Sequence, residues 1–183
     1  MANAVKPHWW ISLWFGVTIP VIFWDVGYCF MRPRSMAGGD LNWIWSPYTL
    51  YQTIDYVYGL PSFERGDGFT NAQSLLNVIE NCMNIAYLYL AHWQSSPVAP
   101  LLGFASAVMT LSKTFLYLAQ EYFCGGCAVG HNTLKDMLLL WILPNGLWVV
   151  VPSFVVYQLA KDISGYIRVA DSVASAAKTE KVE

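Results

Sequence analysis

The chain has 183 residues, of which 56% are hydrophobic and only 12% are charged, and its formal net charge is −2. A soluble domain of this size usually has about twice that share of charged residues, so the composition indicates an integral membrane protein with the lipid bilayer as its partner. With no excess of positive charge, no basic stripe and no RNA-binding motif, the sequence offers nothing that would bind a nucleic acid.

Four segments are predicted to be transmembrane helices, because a span needs about twenty mostly apolar residues. In chain order they are residues 9–31, 72–93, 98–123 and 137–159. The predicted fold class is therefore an all-α membrane protein, a four-helix transmembrane bundle. We expect one four-helix transmembrane domain over residues 1–165, followed by a flexible polar C-terminal tail over residues 166–183.

The segment between the first two spans is too polar to insert into a membrane but is rich in aromatic residues. These are Trp43, Trp45, Tyr48, Tyr51, Tyr56 and Tyr58. Because Trp and Tyr favour the membrane–water interface, the pattern predicts an interfacial loop or short helix. An ordinary extramembrane loop is the alternative.

An even number of spans places both termini on one side of the membrane. That side has five basic residues, Lys6, Lys161, Arg168, Lys178 and Lys181, and the other has four, Arg32, Arg34, Arg65 and Lys135. The small excess predicts cytoplasmic termini.

Two carboxyl groups, Asp25 and Glu80, are predicted to lie at membrane depth, where ionisable groups usually face a partner or a cavity. Asn77, Glu80 and Asn84 follow the spacing i, i+3 and i+7, which places them on one face of the second helix. Lys113 lies in the third span, and the sequence does not decide whether it neutralises Asp25 or Glu80.

The remaining spans also have polar faces, which predicts one shared interior pocket. The candidate substrate-binding residues are Asn77, Asn84, Thr114, Tyr117, Glu121, Asn145, Trp148, Trp24 and Tyr28. The alternative is that these polar residues only hold the helices together by hydrogen bonds.

Two nearby carboxyl groups in a low dielectric tend to share a proton, so Asp25 and Glu80 are the candidate catalytic pair. The neutral acid can protonate an olefin, aromatic faces can stabilise the resulting carbocation, and the carboxylate can remove a neighbouring proton. The same pocket would bind a cationic amphiphile, since a protonated amine mimics the cation.

Four short motifs in this order resemble the EXPERA family: "IPVIFWD" with Asp25, a second span with Glu80, "LYLAQEY" with Tyr117 and Glu121, and "PNGLWVVVP" with Asn145 and Trp148. The family includes sterol isomerases of the endoplasmic reticulum and sigma-2-type receptors. The resemblance implies a bundle in which Asp25 and Glu80 are the two intramembrane acids and Trp148 borders the ligand. It also implies residence in the endoplasmic reticulum.

The resemblance leaves the substrate open, because Val21 and Met83 stand where the sterol isomerases have histidine and threonine. We therefore expect an isomerase or cyclase acting on a sterol, a terpenoid or another polycyclic lipid. The alternative is a non-catalytic sterol-binding or amine-binding protein of the sigma-2 type. No cofactor is expected, and whether the chain forms a homodimer is open.

Cys124 and Cys127 form a CGGC sequence, with His131 four residues further on. A structural zinc site needs four ligands, and no second ligand pair follows, so no metal site is predicted. A disulfide and a plain glycine turn both remain open.

Overall fold

The computed structural model describes residues 6–179, with side chains as far as residue 177, and every regular element in that range is helical. The elements are α1 (Trp9–Phe30), a 3-10 turn (Asn42–Trp45), α2 (Tyr48–Ile54), α3 (Leu60–Glu64), α4 (Phe69–His92), α5 (Ala99–Phe123) and α6. Helix α6 is composite, with a turn at Leu134–Asp136, a π-helical segment at Met137–Ile142 and an α-helix over Leu143–Thr179.

Four long helices pack in the order α1, α4, α5 and α6. Three of them, α1, α5 and α6, are long and apolar enough to cross a membrane by length and composition. The predicted second span is α4, whose average hydropathy is lowered by polar residues. Its buried side chains include Glu80, Asn81 and Asn84, whereas its exposed side chains include Ile79 and Ile85. Helix α4 therefore has a polar inner face and an apolar outer face.

The bundle is closed at the end where α1 begins. Ile11 and Phe15 pack there with Tyr87 of α4 and Val155 of α6 in one buried cluster. Close packing of such side chains holds the helices together through van der Waals contacts. The α1 and α6 helices are also joined at this end, because His8 Nε2 lies 2.7 Å from the carboxylate of Asp162.

The aromatic segment between α1 and α4 folds into a cap over the other end of the bundle. Trp24 Nε1 donates to the carbonyl of Ile44 at 3.1 Å, and Trp45 Nε1 donates to the carbonyl of Trp24 at 2.7 Å. A methyl group on Gly27 would lie 2.8 Å from Trp45 Cζ2, so the absence of a side chain there allows the close approach. Trp45 is buried, whereas Trp43 is 76% exposed. The aromatic residues of this segment therefore include both core residues and surface residues.

Helix α6 continues through the predicted domain boundary at residue 165 without a break. Its side chains from residue 166 to residue 177 are all exposed. The flexibility of this tail remains a prediction, and its residues 180–183 lie outside the described part of the chain.

Candidate functional site

A cavity of about 310 Å³ lies among the four long helices, beneath the aromatic cap. Asp25, Glu80, Asn145 and Trp148 all line it. The other candidate residues in its wall are Trp24, Asn77, Asn84, Thr114 and Tyr117. The polar faces predicted for the separate helices thus meet in one space.

The Glu80 side of the cavity contains an ion pair. Lys113 Nζ lies 2.8 Å from Glu80 Oε2, and both side chains are almost buried, at 11% and 5% exposed. The ammonium also donates to Asn77 Oδ1. Gln73 Nε2 donates to the backbone carbonyl of Lys113 at 3.2 Å, which ties α4 to α5 at this point. The Glu80 carboxylate and the Lys113 ammonium therefore form an ion pair that joins α4 to α5 in the wall of the cavity.

Asp25 has a different set of partners. The Tyr48 hydroxyl donates to Asp25 Oδ1, and Tyr58 also lines the cavity. Tyr48 is held in place by stacking on Tyr28, with ring centroids 4.0 Å apart. Among the described residues, no Lys, Arg or His lies at ion-pair distance from Asp25.

The cavity reaches the outer surface of the bundle between α1 and α6. Val21 on α1 and Leu147 on α6 both line it and are also 48% and 51% exposed. These two helices meet through side chains such as Trp14 and Trp148, whose ring centroids are 4.8 Å apart. An apolar molecule dissolved in a bilayer could approach the cavity at this gap.

Two of the predicted polar residues are held by neighbouring groups as well as lining the cavity. Asn84 Oδ1 accepts a hydrogen bond from Ser106 Oγ at 2.5 Å, which joins α4 to α5. Asn145 Nδ2 donates to the carbonyl of Trp141 at 2.8 Å, next to Pro144 and the π-helical segment. Proline has no N–H, so the regular backbone hydrogen bonding of the helix is interrupted at Pro144.

Two predicted substrate-binding residues do not line the cavity. The Tyr28 hydroxyl donates to the carbonyl of Tyr58 at 2.9 Å, and its ring supports Tyr48 from behind. Glu121 lies beyond the cavity, where its carboxylate accepts the backbone N–H groups of Ala128 and Val129 at 2.9 and 3.0 Å. These two hydrogen bonds show that Glu121 organises the loop after α5. It was a candidate because the polar face of α5 continues past the end of the cavity.

Several lining residues were not among the candidate catalytic or substrate-binding residues. They are Trp14, Phe15, Thr18, Val21, Ile22, Tyr48, Tyr51, Val57, Tyr58, Phe69, Thr70, Gln73, Thr110, Lys113, Pro144 and Leu147. The aromatic density of the segment between α1 and α4 was the available signal for Tyr48, Tyr51 and Tyr58. It does not show which of them reaches Asp25.

Asp55 is a fully buried carboxylate in the cap, at 0% exposure. It accepts the N–H of Val57 at 2.9 Å and Trp141 Nε1 at 3.2 Å, and so connects the cap to α6. Burial raises the pKa of Asp55 from 3.8 to about 6, with Glu121 adding a smaller contribution in the same direction. Hydrogen bonds from Val57, Trp141 and Tyr51 oppose this rise.

Protonation of Asp55 is expected to stabilise the fold. A carboxyl group with a higher pKa in the folded state binds its proton more tightly there, so stability falls as the pH rises from about 4 to about 6. The rise of the pKa from 3.8 to about 6 corresponds to a contribution of at most about 3 kcal/mol to the free energy of unfolding. Thermal unfolding of the purified protein across that pH range should show the slope, and Asp55→Asn should flatten it. An equal slope in both proteins would contradict the assignment.

Cys124 and Cys127 are joined by a disulfide in the loop after α5. The turn between them consists of Gly125 and Gly126, whose φ angles of +73° and +83° lie in the left-handed region that favours glycine. His131 is directed elsewhere, because its Nε2 lies 2.8 Å from the carbonyl of Thr53. The structure thus selects the disulfide from the alternatives that the sequence left open.

Over residues 6–179, the fold and the site define the class of the protein as an all-helical protein with three helices suited to a membrane and a cavity lined by two carboxyl groups. No family model, curated protein or solved structure matches the chain. Assignment of function therefore depends on the geometry of the cavity.

Proposed function

We propose that the protein is a membrane-embedded isomerase or cyclase that acts on a sterol, terpenoid or related polycyclic lipid, with Asp25 and Glu80 as its acid–base pair. The observation that carries the proposal is that the two carboxyl groups line one cavity but have different partners. Glu80 pairs with the Lys113 ammonium, whereas Asp25 accepts the Tyr48 hydroxyl. Such a difference in environment separates one carboxyl as acid and the other as base.

The partners determine the two roles. Asp25, without a cation at contact distance among the described residues, is the neutral acid, and it donates its proton to one olefin carbon. Glu80, which pairs with the Lys113 ammonium at 2.8 Å, is the base, and it removes a proton from a carbon next to the cation. The electron pair of that C–H bond forms the new double bond. In a cyclisation, an internal olefin attacks the cation before the proton is lost.

Aromatic side chains in the wall are suited to the intermediate. Trp14, Trp24 and Trp148 line the cavity, and the face of an indole ring attracts a cation. The apolar surroundings exclude water, which would otherwise capture a carbocation.

The proposed protein spans the membrane four times, with α4 as the additional span. The apolar outer face of α4 and the inward direction of Glu80 and Asn84 support this arrangement. The opening near Val21 and Leu147 would let a lipid enter from the bilayer. The resemblance to EXPERA proteins is the basis for proposing residence in the endoplasmic reticulum. The excess of basic residues on the side of the termini is the basis for proposing that both termini are cytoplasmic.

The alternative is a non-catalytic protein that binds sterols or amphiphilic amines. The Lys113–Glu80 pair favours it in one respect, because Asp25 is then available to a ligand ammonium rather than engaged by a protein cation. Both functions use the same cavity, so the test must detect chemistry as well as binding.

The deciding experiment is incubation with sterol and terpenoid olefins in deuterated water, followed by mass spectrometry of the recovered lipid. Protonation by the enzyme should place one deuterium at the protonated carbon, because the acid exchanges with solvent between turnovers. The matched control is Asp25→Asn, which should give no label. Olefins that bind to the wild-type protein yet remain unlabelled and unisomerised would establish the binding protein instead.

A further inference from the structure

Lys113 is the only basic side chain in the cavity wall as far as the structure describes the chain. Its ammonium contacts Glu80 at 2.8 Å and also donates to Asn77. Position 113 is further fixed through its backbone carbonyl, which accepts Gln73 Nε2 at 3.2 Å. The cation is therefore built into the Glu80 side of the cavity, whereas Asp25 is bound by the phenol of Tyr48.

We propose that Lys113 sets the ligand specificity of the cavity by neutralising Glu80, so that a lipophilic amine takes the proton of the neutral Asp25 carboxyl and binds as an ammonium ion against the resulting carboxylate. Lys113 acts through Glu80 and is a positioning residue rather than a catalytic one. The inference rests on the proposed function for its ligand class, since a protonated amine mimics the carbocation of the proposed reaction.

The assignment has an electrostatic consequence that separates it from direct binding to Glu80. Glu80→Gln removes the negative charge but leaves the Lys113 ammonium, which then repels a cationic ligand at short range in a low dielectric. Amine binding should therefore weaken even though Glu80 does not contact the amine. Removing both charges restores the original balance, so the second substitution should rescue the first.

The experiment compares wild-type protein, Glu80→Gln, Lys113→Gln and the double variant, each in lipid nanodiscs. The cationic probe is N,N-dimethyltetradecylamine, and the neutral probe is tetradecanol, which has the same chain length. We expect Glu80→Gln to bind the amine about tenfold more weakly and the double variant to return to within about threefold of wild type. Lys113→Gln should bind the amine at least as tightly as wild type, and tetradecanol affinity should stay within about threefold throughout.

The neutral probe detects loss of structure, because a merely structural role of Lys113 would weaken both probes together. A double variant that binds the amine as weakly as Glu80→Gln would overturn the inference and identify Glu80 as the direct partner. If the wild-type protein binds tetradecanol but not the amine, the inference alone is overturned. If it binds neither probe, the proposed function is overturned as well. If the Gln double variant does not fold, Lys113→Met with Glu80→Gln is the second test.

Discussion

Asp25→Asn and Glu80→Gln are each expected to lower turnover of an olefin substrate at least about a hundredfold, the usual scale for acid–base groups. An amide in place of Asp25 could not deliver a proton, and an amide in place of Glu80 could not accept one. Turnover is measured from the rate of deuterium incorporation at saturating substrate, so that changes in affinity do not enter the comparison.

The matched control is Asn84→Asp, because Asn84 lines the same cavity and hydrogen bonds to Ser106 but has no proton-transfer role in the proposal. Its turnover should fall by less than that of either acid variant. Affinity for the neutral olefin should change little in Asp25→Asn and Glu80→Gln, since both amides preserve shape. Retention of wild-type turnover in either acid variant would contradict the acid–base assignment.

Asp25→Asn is also expected to weaken binding of lipophilic amines at least about thirtyfold. Loss of one partner from a buried, hydrogen-bonded charge pair costs about 2–5 kcal/mol, and each 1.4 kcal/mol is a factor of about ten in affinity. The measurement is equilibrium binding of N,N-dimethyltetradecylamine, with tetradecanol as the neutral reference.

Tyr48→Phe is the control for this second prediction. It removes the hydroxyl that donates to Asp25 but keeps the carboxyl and the ring that stacks on Tyr28. The amine should lose less affinity there than in Asp25→Asn, because the charge remains. Equal losses in the two variants would indicate that the position of Asp25, rather than its charge, determines binding.

The positions of the long helices could be predicted from local sequence. The apolar run after Trp9 became α1, which ends at Phe30, and the third predicted span coincides with α5 to within one residue. The second span was predicted to begin near residue 72, but the corresponding helix α4 begins at Phe69. A helix that is half buried by protein need not be apolar throughout, so its first turn can be polar. Because its inner face is polar, α4 is not among the three helices that are apolar enough to cross a membrane by length and composition.

Helical periodicity also placed several candidate residues in the wall of one cavity. Asn77, Glu80 and Asn84 share a face because of their spacing, and Asn145 and Trp148 lie one turn apart. Periodicity does not say where a cavity ends, however. Glu121 continues the polar face of α5 but lies past the cavity, where it binds the N–H groups of the following loop.

The sequence by itself determined approximately where the four long helices begin and which side of each helix is polar, because both depend on neighbours within a few positions along the chain. Only the tertiary structure decided that Lys113 pairs with Glu80 and that Tyr48 binds Asp25. It also decided that Asp55 in the cap bonds to Trp141 in α6. These pairs are formed by residues far apart in the chain, and their geometry depends on how the helices and the cap pack together.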